Sequence, residues 1–451
     1  MTLPSFWLET CGDDLTPRQP LPGDTDCDVA IVGAGYTGLW TAHHLLRQDP
    51  SMRVVVIERE IAGWGASGRN GGWCSALFAA PWSRVATEHG HDAALRLRRA
   101  LEQTVDEVGR WCLANGVDAH YAKGGTVTFA RGAAQVQRAK AHVAADKAAG
   151  GDDTAWLDPA AAANRIRVSG VDGAAFTPHC AAVQPARLVR GLARVVEAQG
   201  ARLFERTTAL ALDRGRVTTA RGTVRADAVL RATEGYTRSL SRLHRDVVPL
   251  WSLIVATEPL PATAWDELGW RDRETVTDER HLLVYAQRTA DDRIVLGGRG
   301  APYRFASRTT GDRGHHRTFA RLEHELRELF PAAADALVTH RWGGVLGVPR
   351  DWMPSVGFDR ELGTGWAGGY VGDGVGCAAL AGRTLADLVL GRDTDETALP
   401  WVDHRSRTWE PEPLRWLGVR GMTALMGAAD RLEARTGRPS PVGTLLERLT
   451  G

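Results

Sequence analysis

Three glycines and an acid define the first chemistry in this chain. Gly33, Gly35 and Gly38 stand in the spacing GxGxxG, and Glu58 follows twenty residues after Gly38. Glycine at the first position permits a tight turn, at the second it lets backbone N–H groups approach a pyrophosphate, and at the third it lets a helix pack close to a strand. Tyr36 and Thr37 then fall in the first turn of that helix, where unpaired donors and the positive dipole end favour phosphate. Glu58 is spaced to accept the hydroxyls of a ribose. The motif points to a bound dinucleotide and leaves NAD and FAD open. Glu58 argues against a 2′-phosphate, although Arg59 beside it keeps NADP formally open.

Such a site needs strand, turn, helix and strand in that order. Val29–Val32 is a short apolar run suited to a buried strand, Leu39–Leu46 has helical apolar spacing, and Val54–Ile57 is a second buried run. Residues 1–27, with Pro17, Pro20 and Pro22, predict an irregular lead-in. From about 84 to 150 the pattern is helical apart from a strand at Thr126–Ala130. A helix follows Pro185, and short strands are expected at Ala201–Phe204, Ala209–Leu212, Arg216–Thr219, Gly222–Arg225 and Ala228–Ala232. Turn-bounded strands at Leu253–Thr257, Leu282–Ala286 and Ile294–Gly297 suit an antiparallel sheet in a second lobe. Helix returns at about 317–330, and the tryptophan-bearing final sixty residues are helical with no assigned chemistry.

The chain has 451 residues and a formal net charge of +1, so no whole-molecule attraction to nucleic acid or an anionic membrane is expected. Six cysteines lie apart with no CxxC, and Met1-Thr2-Leu3-Pro4 does not begin a secretory leader, which predicts free thiols and a cytoplasmic setting. No apolar run is long enough to span a bilayer. The histidines make no zinc spacing, so no metal is expected.

After the second strand comes Gly63-Trp64-Gly65-Ala66-Ser67-Gly68-Arg69-Asn70-Gly71-Gly72, and further on Ala232-Thr233-x-Gly235-Tyr236, Trp342-Gly343-Gly344 and Gly368-Gly369-Tyr370-Val371-Gly372-Asp373-Gly374-Val375. With these the chain resembles the D-amino-acid-oxidase-like family of FAD-dependent oxidoreductases, most of all its γ-glutamylputrescine oxidoreductase branch. The resemblance implies an α/β fold. A Rossmann-type, glutathione-reductase-like FAD-binding domain would be assembled from 28–83, 180–246 and 340–400, after the 1–27 lead-in. A second α+β substrate lobe on an antiparallel sheet would come from 84–179 and 247–339, and 401–451 would be a helical extension.

It also implies roles. The loop of Ala66, Ser67, Arg69, Asn70, Gly71 and Gly72 would pass against the pyrophosphate and flavin, with Arg69 supplying charge. Ala209 would bind adenine through its backbone, and Ala232, Thr233, Gly235 and Gly344 would complete the cofactor site. Gly372, Asp373, Gly374 and Val375 would bring amides and a helix N-terminus to the flavin edge that becomes anionic on reduction. Relatives with covalent flavin attach it through a histidine or cysteine at the positions of Asn70 and Gly344, so FAD is expected to be non-covalent. Glu234 stands where many relatives carry Asn, and an apolar residue near Val295 replaces the lysine of some sarcosine-oxidizing relatives.

The implied activity is oxidation of a C–N bond in a small amine or amino acid by hydride transfer to flavin N5, with hydrolysis of the imine. Tyr285, Arg288, Trp342 and Trp73 are the candidate substrate residues, Arg288 as a clamp for a carboxylate. The electron acceptor is molecular oxygen or, in a dehydrogenase, a quinone or protein carrier. A third reading is a flavin-bearing binding protein without catalysis.

Overall fold

The computed structural model describes residues 5–300, 303–307 and 315–443; Met1–Pro4, where no leader is expected, lies outside them. Two sheets carry the architecture. In the first, Thr25–Val32 lies between Val54–Ile57 and Gly222–Arg231, with Arg202–Phe204 and Thr364–Gly368 on the outer sides, all parallel. Ser355–Asp359 closes one edge antiparallel, and the hairpin Ala209–Asp213 with Arg216–Thr219 adds to Gly222–Arg231.

Strand alternation explains why the central runs are apolar throughout. Ile31, Val54 and Val56 face a helical core containing Leu39, Leu188 and Leu385, whereas Ala30, Val32, Val55 and Ile57 face the hairpin through Val217. The two strands expected at Gly222–Arg225 and Ala228–Ala232 are one, because the ladder with Thr25–Val32 runs from Val224 to Arg231. Gln184 starts the helix Pro185–Ala198, its side chain accepting the Arg187 N–H at 2.7 Å while Pro185 occupies the first turn.

The second sheet runs Val338–Val348, Val248–Thr257, Ile294–Gly298, Val284–Arg288, Thr275–Asp278, Thr126–Ala130, Gly173–Thr177 and Ala155–Leu157. It is antiparallel except where Thr126–Ala130 enters from an earlier part of the chain and pairs parallel with Thr275–Asp278, a departure from the expected wholly antiparallel sheet.

Two lobe boundaries differ from the sequence expectation. The helix His91–Ala114, assigned to the second lobe, buries Leu97, Leu101 and Val105 in the core beneath the parallel sheet. Val338–Val348 is an edge strand of the second sheet, so the boundary at 340 cuts through a strand. The lead-in is ordered too: Phe6–Glu9 is a short helix, and its Phe6, Trp7 and Leu8 pack with Trp342 and Val295. All six cysteines are free and buried. Among the described residues, no helix is long and apolar enough to cross a membrane.

Candidate active site

The glycine turn sits at the C-terminal end of the parallel strands, the side of such sheets on which ligands bind. Gly33 donates its N–H to Ile57 O at 2.8 Å, and a Cβ on Gly38 would lie 2.0 Å from Gly33 O, so the helix Tyr36–Gln48 rests directly on the turn. Its N-cap is Gly35, which has no side chain to cap the first-turn amides; Tyr36 N–H donates to Ser67 Oγ at 2.9 Å. Glu58 ends the second strand. Its carboxylate accepts the amides of Ala34 and Glu60, both at 2.9 Å, and burial pushes its pKa up against their pull.

Between these groups lies a cavity of about 140 Å³. Gly33, Gly35, Tyr36, Thr37, Glu58 and Arg59 line it from the first unit, and Ala66, Ser67 and Asn70 from the following loop. Ala209, Ala232, Thr233, Gly372, Gly374 and Val375 line it from later in the chain. Backbone donors, a ribose-competent acid and a cradle too close for side chains suit a dinucleotide. Gly38 does not reach the cavity, and neither does Gly235, where a Cβ would stand 2.8 Å from Val345 Cγ1.

The Gly63–Gly72 loop uses its polar residues on itself. Asn70 Nδ2 donates to the carbonyls of Ala66 and Ser67 at 3.1 and 3.0 Å, and its Oδ1 accepts the Gly72 N–H at 2.8 Å. Arg69 donates to Trp64 O at 2.8 Å and to Gly343 O at 3.3 Å. The lead-in helix braces the same loop: Ser5 Oγ donates to Gly68 O at 2.7 Å and Trp7 Nε1 to Asn70 O at 2.8 Å. The last two glycines make room for protein side chains. A Cβ on Gly71 would lie 2.5 Å from Tyr285 Cε2, and one on Gly72 would lie 1.8 Å from Gln287 Nε2, the atom that holds Gly71 O at 2.8 Å.

A second cavity, of about 1180 Å³, begins at this loop. Arg69, Gly71, Gly344, Gly372 and Asp373 line the end that adjoins the nucleotide cavity, and Asn70, Ala66, Leu346 and Gly372 border both. Asp373 precedes the helix Gly374–Leu390 and leaves its first turn uncapped by a side chain, so that helix directs free donors and the positive dipole end toward this junction. Burial raises the Asp373 pKa to about 6, against the pull of Arg299.

Of the four substrate candidates, Tyr285 and Trp73 line this cavity with ring centroids 5.9 Å apart. Tyr285 Oη shares a 2.7 Å hydrogen bond with Ser252 Oγ, and burial pushes its pKa up to about 12. Trp342 is 2% exposed and does not line the cavity; its Nε1 donates to Arg69 O at 3.0 Å, so it supports the loop from behind. Arg288 is not at the cavity either. It donates to Asp292 Oδ1 at 3.0 Å and to Trp270 O at 2.6 Å, and it lies over the Trp265 ring at 4.1 Å.

Seven arginines line the cavity, and Arg299 is the one carried by the hairpin that also holds Tyr285. Its guanidinium lies 5.7 Å from the Trp352 ring and has no hydrogen bond or ion pair among the described residues. Enclosure by protein lowers its pKa, and the charges of Asp373 and Tyr285 oppose that shift. Arg288 and Arg299 belong to one hairpin. Val284 pairs with Gly298 and Arg288 with Ile294, so the two arginines stand at opposite ends of it. Both follow apolar strands in sequence, and only the register tells which end faces the cavity.

Comparison with known proteins agrees with this geometry. The family model for FAD dependent oxidoreductases, DAO, matches residues 28–388. The chain is 31% identical over 392 residues to a probable oxidoreductase OrdL of Rhizobium meliloti (strain 1021), covering 84% of this chain and 87% of that one. It is 28% identical to the gamma-glutamylputrescine oxidoreductase of Escherichia coli (strain K12), over 86% of this chain and 89% of that one. The crystal structure of glycine oxidase from Geobacillus kaustophilus superposes with a TM-score of 0.67 at 23% identity, covering 84% of this chain and 99% of that chain, which shows a shared fold.

Proposed function

The chain belongs to the DAO family of FAD-dependent oxidoreductases, and from that membership we propose that it oxidises the C–N bond of an amine or amino acid bearing an acid group. FAD is the cofactor, and when bound it supplies a two-electron acceptor for hydride from the carbon beside the nitrogen, leaving an imine that water hydrolyses. The observation that carries the acid group is Arg299, whose guanidinium has no hydrogen bond or ion pair among the described residues and lines the cavity that adjoins the nucleotide site. A guanidinium in that position suits a planar, bidentate grip on carboxylate.

The remaining walls select the reactive form of the substrate. Trp73, Tyr285, Ile254 and Leu346 present mostly carbon, and an apolar enclosure disfavours an ammonium ion. Arg299 disfavours it further by charge. These two influences favour the neutral amine, whose lone pair assists departure of hydride, while the Asp373 carboxylate at the same end opposes them. The FAD would be held non-covalently: both ends of the Asn70 amide are already bonded within the loop, and Gly344 has no side chain. Acid precipitation is expected to release all of the flavin.

Anaerobic bleaching of the flavin band, near about 450 nm, across matched pairs of amines with and without a carboxylate tests the proposal. Faster reduction by the acid-bearing member of each pair is expected, and no reduction by any amine would overturn it. Peroxide yield during turnover decides between oxygen and a carrier as acceptor.

A further inference from the structure

The larger cavity has walls of two origins. Beside Gly344, Gly372 and Tyr285 it is built from residues that the family model matches, whereas the far wall lies beyond residue 388. That wall has a polar part, Arg405, Arg407, Thr408 and Glu410 with Trp409, and an apolar part, the helix Leu414–Thr436, which contributes Leu414, Gly418, Met422 and Met426, with Val419 and Thr423 between. Every fourth residue recurs with its neighbours one position on, so one continuous stripe of the helix faces the cavity.

Among the described residues, the hydrogen bonds that fasten this helix to the rest of the protein lie toward its two ends. At the start, Glu412 accepts hydrogen bonds from Tyr303 Oη at 2.9 Å, Arg415 Nε at 3.2 Å and Trp416 N–H at 3.0 Å. Toward the other end, Glu433 holds Arg138 at 2.7 Å, and Asp430 accepts the amides of His281 and Leu282 at 2.8 and 3.0 Å. Of its 23 residues only Arg415, Ala429 and Glu433 are buried.

The polar groups on the stripe are already satisfied. Arg415 pairs with Glu412, and Thr423 Oγ1 donates to Val419 O at 2.9 Å. What the helix offers the cavity is aliphatic carbon and thioether, opposite Leu250, Trp251 and Leu282. Such a surface gains free energy when apolar matter displaces water from it, and methionine adapts its shape to what arrives. Gly418 marks the open space: a Cβ built there meets nothing within 4 Å.

We infer that this helix is the outer half of the substrate site and reads the length of an unbranched aliphatic chain on the acid-bearing substrate, the chain running from Arg299 toward Met422 and Met426. The occupant is the substrate because one cavity is lined both by this helix and by Tyr285 and Gly372. The direction of the chain rests on the reading of Arg299 given above; the chain-length selectivity does not.

Straight-chain carboxylates from butanoate to octanoate, titrated into the FAD-loaded enzyme by calorimetry and by perturbation of the flavin absorption band, test this without turnover. Affinity is expected to rise about threefold per methylene, roughly eightyfold from butanoate to octanoate. Gly418→Phe, which fills the open space, should bring that ratio near unity, Gly418→Ala should preserve it, and Met422→Gln should cut it severalfold. A ratio near unity in the wild type, or a ratio untouched by both Gly418→Phe and Met422→Gln in proteins of normal melting temperature, overturns the inference. Arg299→Gln separates the two readings: weaker binding of all acids at an unchanged ratio supports both, whereas unchanged binding removes the Arg299 anchor and leaves the helix wall standing.

Discussion

The two ends of the site are made of different material. The nucleotide end is chiefly backbone: turn amides, two uncapped helix starts and carbonyls at close approach, with Glu58 as the main side chain. The substrate end is side chains drawn from Trp73, Ser252, Tyr285, Arg299, Trp352 and Met422. A backbone site depends on the absence of side chains at a few fixed spacings, so it tolerates little change and varies little in chemistry. A side-chain site can be altered one residue at a time while the frame stays intact. Substitutions at the first end should therefore act on folding and cofactor retention together, and those at the second on substrate choice alone.

The largest effect tests the first half of that contrast. Gly38→Val places a side chain where even a Cβ would lie 2.0 Å from Gly33 O. Overpacking of this kind costs on the order of 3 kcal/mol or more, and the variant is expected to purify without flavin and to melt well below the wild type. Normal flavin content would show that the helix can move off the turn.

Glu58→Ala comes next. Loss of a hydrogen bond to a charged group costs about 1.5–3 kcal/mol, so the FAD dissociation constant should rise roughly tenfold to hundredfold, measured by flavin fluorescence on dilution. Because Glu58 also holds the amides of Ala34 and Glu60, a modest fall in apoprotein stability should accompany it.

The two arginines of the hairpin sharpen the comparison within the substrate end. Arg299→Lys keeps charge but loses the planar fork, and the flavin-reduction rate constant over Kd for an acid-bearing amine is expected to fall about tenfold, with the neutral analogue nearly unaffected. Arg288→Lys should leave both substrates alone and cost at most about 1 kcal/mol in stability, since its partner Asp292 is half exposed. Equal losses for the two amines in Arg299→Lys would remove the acid group from the proposed substrate.

The smallest effect concerns pH. Glu234 accepts amides from Gly369 at 2.8 Å and Gly347 at 3.3 Å, yet burial raises its pKa from 4.5 to about 7. The native state thus binds the proton more tightly than the unfolded chain. The resulting stability is fully present below about pH 4.5 and is lost as pH rises through 7. Glu234→Gln cannot ionise, so its melting temperature should fall less steeply than that of the wild type from about pH 5 to 8.

How much of this was legible in the sequence follows the same division. Gly33, Gly35 and Glu58, spaced along the sequence, line one cavity, and Val54–Ile57 is the strand its β-branched run requires. Gly71 and Gly72 were legible as glycines but not for their reason, which is the approach of Tyr285 and Gln287 from more than two hundred residues away. The hairpin around Tyr285 was recognisable, but the choice between Arg288 and Arg299 depends on the pairing of Val284 with Gly298, which no local pattern encodes. The strand Gly222–Arg231 is continuous through the polar middle that reads as a break in sequence, because Cys27, nearly two hundred residues away, pairs there with Ala226. The final helix gave no chemical signal, since Gly418 and Met422 matter through the space they border.

The nucleotide cavity is bounded by stretches at 32–70, 207–240 and 345–378, so one small molecule would touch parts of the chain that are far apart in sequence. A ligand that binds the native state alone stabilises it by about 4 kcal/mol at a free concentration a thousand times its dissociation constant. Vitamin supply would then govern the amount of this protein in a cell as well as its output. A riboflavin-starved cell should lose the chain to proteolysis before it loses the message, and flavin restored after synthesis would rescue only those molecules that still held the three stretches together.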